Sequence, residues 1–184
     1  RGDLGIAIAA SSNALVRCRV TVIDVNRTSL DAGSSRASAL ELENIEFVCA
    51  QVAVGDGDEP SGGGFCIPLD ADVLVGLHCC GGLTDAFLRL VAHRRCPFMV
   101  CPCCYQHHTS LGPWSTEAWV DDEICAVVGR FAESTDRVLS LRAARVINSA
   151  RLRSLQAKVD LDLSIATFPS DYSLRNLVLV GQHV

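Results

Sequence analysis

No stretch of the chain approaches the about 18 uninterrupted apolar residues that a membrane-spanning helix requires, so a membrane partner is not expected. The opening Arg1-Gly2-Asp3-Leu4-Gly5 lacks the basic start, long apolar core and small-residue cleavage site of a secretion signal. An initiator methionine is also missing, from which further residues upstream are expected. Positive charge is not in excess either: 16 Lys and Arg face 21 Asp and Glu, giving a net charge of −5. A domain that grips nucleic acid by bulk electrostatics is normally basic, so that mode is disfavoured. A local basic face remains open through Arg130, Arg137, Arg142, Arg145, Arg151 and Arg153; the plainer reading of these is a solvated helix face and its flanks. With 49% apolar and 20% charged residues, 184 residues can build one real core but not two.

Cysteine, in contrast, is abundant. Ten cysteines in a secreted chain would suggest disulfides in place of a core, but this chain has core residues enough and no secretion signal. Several sit in adjacent pairs, Cys79-Cys80 and Cys103-Cys104, which suit bridge geometry poorly. Free thiols in a reducing intracellular compartment fit better, with the cytoplasm and the mitochondrial matrix both open.

The chain reads as alternating helices and strands. Leu4 to Val16 is apolar and Ala-rich behind two glycines, a helix opening at a tight turn. Arg19 to Ile23 is a β-branched strand ending in Asp24. A helix is expected from Thr28 to Leu42, with Ser29 or Thr28 as N-cap, then a strand over Ile45–Cys49. Residues 55–64, Gly-rich and acidic, predict a flexible surface loop within a single domain spanning 1–184. No Lys-Ser/Thr pair follows those glycines, so they are not a phosphate-binding loop. A strand over Asp72–Leu77 leads through His78-Cys79-Cys80-Gly81-Gly82 into a helix from Thr84 to His93, with Leu83, Phe87, Leu88 and Val91 near one face. Phe98-Met99-Val100 is the next strand, helices are expected over roughly 116–132 and 145–158, and strands over 163–168 and 176–181 close the chain. Short apolar strands alternating with helices imply a doubly wound, Rossmann-like, mostly parallel α/β sheet covered on both faces. The last two strands are joined too closely for a crossover and should pair antiparallel.

In an open α/β sheet, ligands bind beyond the carboxyl ends of the strands. Those ends carry Asp24, Ala50-Gln51, His78-Cys79-Cys80-Gly81 and Cys101-Pro102-Cys103-Cys104-Tyr105, whereas the opposite ends carry ordinary loop residues. A carboxylate at the end of the second strand of such a sheet suits ribose hydroxyls, though an exposed loop Asp is the alternative. Gly2 and Gly5 fit the end of a turn where backbone approaches a ligand.

Gly2-Asp3-Leu4-Gly5, Val22-Ile23-Asp24, Asn44-Ile45-Glu46-Phe47, Leu77-His78-Cys79-Cys80-Gly81-Gly82-Leu83-Thr84-Asp85 and Cys101-Pro102-Cys103-Cys104-Tyr105 occur in that order. Together they resemble the methyltransferase domain of the glutathione S-transferase C-terminal domain-containing protein family, across nearly the whole chain. The Leu-His-x-Cys-Gly turn and the Cys-Pro-Cys-Cys-Tyr segment are the specific elements; the glycines and Asp24 are common to class I methyltransferases. The resemblance implies a seven-stranded fold using S-adenosylmethionine. Gly2 and Gly5 would lie beside the methionine moiety, Asp24 on the ribose, Val25 beside the adenine and Gln51 near its amino group. His78 to Gly81 would face the transferred methyl, with His78 and Cys80 the catalytic candidates and Cys101, Cys103, Cys104 and Tyr105 on the acceptor side. The chain departs from the family in lacking the first strand with its glycines and in a longer acidic loop at 55–64.

Methyl transfer from a sulfonium needs mainly alignment and a dry pocket, but a neutral acceptor must lose a proton, which His78 can take. A backbone-bonded turn residue is the alternative for His78, and a core residue the alternative for Tyr105. The acceptor is expected to be RNA or protein, with RNA favoured by the arginines. Two other functions stay open: a non-catalytic binding or assembly module, and a zinc-binding module built on Cys101-x-x-Cys104 with Cys80, His78, His107 and His108 near it. Packed, reduced thiols around the acceptor pocket, with no metal, are the preferred reading of the cysteines.

Overall fold

The computed structural model describes residues 2–12, 17–50, 71–80, 82–105, 122–173 and 175–183. They fall into two compact units, Arg1–Ile67 and Pro68–Val184. The loop expected at 55–64 lies outside the described residues, as do Gln51, Gly81, His107 and His108.

The first unit comprises α1 (Asp3–Ala10), β1 (Val20–Asp24), α2 (Arg27–Ala39) and β2 (Ile45–Cys49). β1 and β2 pair in parallel from Val20↔Ile45 to Asp24↔Cys49, the crossover being supplied by α2. That helix buries Leu30, Gly33 and Ala37, three positions one helical turn apart or nearly so. Its N-cap is Asn26, not Ser29 or Thr28: Asn26 is extended (φ −88°, ψ 96°), and its side chain accepts the Ser29 N–H at 3.0 Å. The Asn wins because the helix begins at Arg27, and a cap acts from just outside the first turn. α1 packs on this ribbon at close range. A Cβ on Gly5 would lie 2.5 Å from Val22 Cγ2, so the helix reaches β1 only because position 5 has no side chain. At the far end, Asn44 Nδ2 donates to the carbonyls of Ala9 and Cys18, both at 3.0 Å, and ties the end of α1 to the chain entering β1.

The second unit contains β3 (Leu74–Cys79), α3 (Gly82–Arg94), β4 (Phe98–Pro102), α4 (Asp122–Ala132), α5 (Arg137–Gln156), β5 (Asp162–Thr167) and β6 (Leu177–Gln182). Its sheet has the order β3-β4-β6-β5. β3 and β4 are parallel, and β6 is antiparallel to both β4 and β5, so three strands share a direction and the C-terminal one is reversed. The short Pro169-to-Asn176 connection returns β6 alongside β5, and β6 inserts between β5 and β4 rather than standing at the edge. The fold is thus mixed α/β with predominantly parallel strand direction.

Several boundaries differ from the sequence expectation. β3 continues through His78 to Cys79, and β4 includes Cys101 and Pro102. α5 starts at Arg137 rather than 145, because Asp136 caps it, accepting the N–H groups of Val138 (2.9 Å) and Leu139 (3.0 Å). On α3, Thr84, Asp85, Phe87, Leu88, Leu90 and Val91 are buried, while Leu83 faces outward. Phe87 meets Phe98 of β4 edge-on, with ring centroids 6.1 Å apart. Tyr105, Ala132, Ala143, Ala144, Ile147 and Leu177 form a core cluster beneath α4 and α5. Coverage of both faces does not extend everywhere: Val75 and Leu77 on β3 and Met99 on β4 remain exposed.

Arg151 does not belong to a basic face. It is 3% exposed, and its guanidinium clasps the buried Asp85 carboxylate through Nε and Nη2, each at 2.9 Å. Arg130, Arg137, Arg142, Arg145 and Arg153 are exposed. Among the described residues no helix is long and apolar enough to cross a membrane.

Candidate functional site

In the first unit, the candidate residues gather at the carboxyl ends of β1 and β2. Asp24 closes β1 half-buried, and its Oδ1 accepts the Asn26 N–H at 2.8 Å, which orients the carboxylate. Val25 follows with its side chain 67% exposed. The Ala50 N–H donates to the Asp24 carbonyl (3.1 Å) and the Cys49 thiol to the Val25 carbonyl (3.7 Å), so both strand ends are stitched together. The start of α1 is at this same end. Gly2, its N-cap, is left-handed at φ 70°, and a Cβ there would fall 2.8 Å from Phe47 Cε1, near the close of β2. Ala9, at the helix's other end, meets Asn44, which precedes β2. The helix therefore runs against the strands, with its N–H groups toward Asp24. Gly2 and Gly5 divide the work: Gly2 permits the turn, and Gly5 permits close helix–strand packing.

In the second unit, β3 and β4 end side by side. Pairing runs Leu77↔Cys101 and then Cys79↔Pro102, with a register shift at His78. His78 takes φ 57°, a left-handed conformation uncommon outside glycine, so β3 bulges there and the next residues are re-aimed. The exposed His78 keeps its imidazole accessible, while its carbonyl accepts the Cys80 S–H at 3.3 Å. The turn into α3 is closed by the Thr84 hydroxyl on the Cys79 carbonyl (2.5 Å) and the Leu83 N–H on that of Cys80 (3.0 Å). Cys80 and Cys103 face each other across the two strand ends, Sγ to Sγ 2.6 Å, with Cys104 next to them at 3.7 Å from Cys103.

The remaining acceptor-side candidates are structural. Cys101 is buried and its thiol is directed at the Arg175 carbonyl (3.8 Å). Tyr105 is 1% exposed, with its hydroxyl accepting from Asn148 Nδ2 at 2.9 Å and its ring 5.9 Å beneath the Arg151 guanidinium. It has the surroundings of a core tyrosine.

Burial dominates the thiol chemistry. It pushes Cys79 up to about 12, helped by the neighbouring Cys80 and Cys101. Cys103 is raised by burial and then by Cys80 and Cys104; Cys104 is raised by burial and then by Cys80; Cys101 is raised by burial alone. These are thiols, not thiolate nucleophiles, near neutral pH.

Sequence reasoning passes over Asn148, Glu133 and Arg175 and reads Arg151 as surface, yet these four residues set this edge in place. Asn148 and Arg151, three apart on α5, carry the network Asp85–Arg151–Asn148–Tyr105, with Arg151 Nη1 to Asn148 Oδ1 at 3.2 Å. Glu133 accepts the Tyr105 N–H at 2.5 Å and Arg175 Nη2 at 2.8 Å; Arg175 also reaches the Ala132 carbonyl and, at 2.9 Å, Ser140 Oγ. The available signal was a charged and an amide residue on the apolar side of the α5 pattern, where unpaired polar groups are costly.

A family model described as a methyltransferase domain matches residues 1–110. Among curated proteins, the glutathione S-transferase C-terminal domain-containing proteins of Mus musculus and Homo sapiens are each 33% identical over 104 residues, and that of Bos taurus 32%. Each match covers 56% of this chain but spans only 14% of the relative.

Proposed function

The chain belongs to the methyltransferase-domain family, and from that premise we propose that it transfers the methyl group of S-adenosylmethionine to a nucleophilic acceptor, RNA before protein. When bound, S-adenosylmethionine supplies a methyl already activated on a sulfonium, so the chain's own work is to bind, orient and exclude water. The observation that best supports the reading is Asp24. Its carboxylate is half-buried, held by the Asn26 N–H, and set at the strand end toward which α1 points its N-terminus. Asp24 would accept from the ribose hydroxyls, Val25 would flank the adenine, and the Gly2 turn would leave backbone clear for the methionine portion. Gln51, assigned by resemblance, completes the cofactor set of this unit.

His78 takes the proton of a neutral acceptor. Its exposed imidazole on a left-handed bulge suits a base that must meet an incoming substrate. The Cys80 turn lines the same edge. RNA is favoured because Arg142, Arg145 and Arg153, all exposed, stand within about 80° around the α5 axis and form one stripe for phosphates. Without Arg151 this stripe is smaller than the sequence implied, so binding should be weak and its salt dependence shallow, as few phosphate contacts release few counterions.

Calorimetric titration with S-adenosylmethionine tests the reading, using this chain and a version extended upstream, each also as Asp24→Ala. Binding that falls at least about tenfold on Asp24→Ala, consistent with loss of a charge-assisted hydrogen bond, supports it. Absence of binding in both lengths overturns it.

A further inference from the structure

β3 and β4 are parallel neighbours, so the residues following them leave the sheet at one edge. Cys80 comes from the first exit and Cys103 and Cys104 from the second; their Sγ atoms all lie within 4.8 Å of one another. We propose that these three cysteines bind a zinc ion.

The donor set is the first argument. Three sulfurs and no carboxylate select a soft or borderline ion and disfavour magnesium or calcium. Spacing is the second. Zinc–sulfur bonds of about 2.3 Å at tetrahedral angles put sulfurs about 3.8 Å apart. Cys103 and Cys104 are already 3.7 Å apart. The Cys80–Cys103 pair, at 2.6 Å, must open by about 1 Å on that geometry, and Cys80 and Cys104 lie within 4.8 Å of each other. Cys80 is exposed and held by a weak S–H contact to the His78 carbonyl, so a change of rotamer suffices. The third argument is preorganisation. The left-handed His78 re-aims the chain so that Cys80 turns toward β4. On the opposite side, Tyr105 is pinned by Glu133 at its N–H and by Asn148 at its hydroxyl, which anchors the adjoining Cys103-Cys104 step.

Burial, and then the neighbouring Cys80, push the Cys103 and Cys104 thiols up. A divalent cation reverses that preference. Each thiol that becomes a ligand gives up its proton to solvent, and uptake strengthens as pH rises. The ligand set differs from the Cys101-x-x-Cys104 pair suggested by spacing, since Cys101 is held inside β4 toward Arg175. Three ligands among the described residues leave one coordination position for a further donor.

The test uses the full chain, reduced and handled without oxygen, and zinc alone as the probe. Elemental analysis after gel filtration should give one zinc per chain. Cobalt in its place should show thiolate charge-transfer absorption. In the unaltered protein, zinc should shield Cys80, Cys103 and Cys104 from alkylation, mapped by peptide mass, while exposed Cys49 reacts freely. Cys80→Ser, Cys103→Ser and Cys104→Ser should each weaken binding by on the order of 100-fold, beyond the loss caused by second-shell changes; Cys49→Ser should not. Failure of the reduced chain to retain zinc, or shielding of other cysteines instead, overturns the proposal. So does a Cys80–Cys103 disulfide whose reduction restores no zinc uptake. Because the readout is metal and thiol reactivity, it stands or falls separately from methyl transfer.

Discussion

His78 combines a left-handed backbone with an accessible imidazole, and the two have separable consequences. A β-carbon in that region costs about 1–2 kcal/mol that glycine avoids. His78→Gly should therefore be more stable than His78→Ala by about 1 kcal/mol in urea unfolding, after the entropy glycine loses on folding. Both variants should lose methyl transfer to a neutral acceptor by about 100-fold, the usual scale for removing a general base. Equal stability of the two would show that the bulge relaxes without cost. The sequence marked His78 by its place at a strand end, but the bulge depends on how β3 meets β4 and leaves no local signature. Asp24 is different: a β-branched run stopping at an acid is a pattern read directly along the chain.

At the scale of elements, the buried Asp85–Arg151 pair joins α3 to α5, with side chains 1–2% exposed. Burial pushes the Asp85 carboxyl up, against the opposing pull of Arg151, which marks the cost of desolvating it. Such a pair sets register more than it stabilises. Arg151→Met alone should cost about 3–5 kcal/mol, because it strands a carboxylate and takes the donor from the buried Asn148 Oδ1. The double change Asp85→Leu with Arg151→Met should recover most of that loss in thermal unfolding. A double variant no better than the single would mean the pair contributes net stability. Caps follow the same logic of position. Asn26 and Asp136 each lie just before the first helical turn, and reading hydrophobic periodicity alone placed one start slightly late and the other eight residues late.

For the whole molecule, the buried thiols link stability to alkaline pH. Cys79 goes from an ordinary 9.0 to about 12 in the folded chain. The unfolded thiol ionises first, so between those values the folded state holds more protons and stability falls as pH rises. The contribution is complete below pH 9 and is lost as pH passes through about 12. Unfolding free energies measured from pH 8 upward should drop with a slope steeper than that of Cys79→Ala by at most about 1.4 kcal/mol per pH unit. Parallel slopes would place Cys79 in contact with water. By itself the sequence determined the alternation of helices and strands, the antiparallel return of β6 on β5, Asp24 at a strand end and the family, since these rest on periodicity, turn composition and short ordered motifs. Only the tertiary structure decided that β6 inserts between β4 and β5, that Arg151 and Tyr105 belong to the core, and that Cys80 meets Cys103 and Cys104. Those facts depend on which residues far apart in the chain share an edge or a dry interior, and neither local propensity nor spacing encodes that pairing.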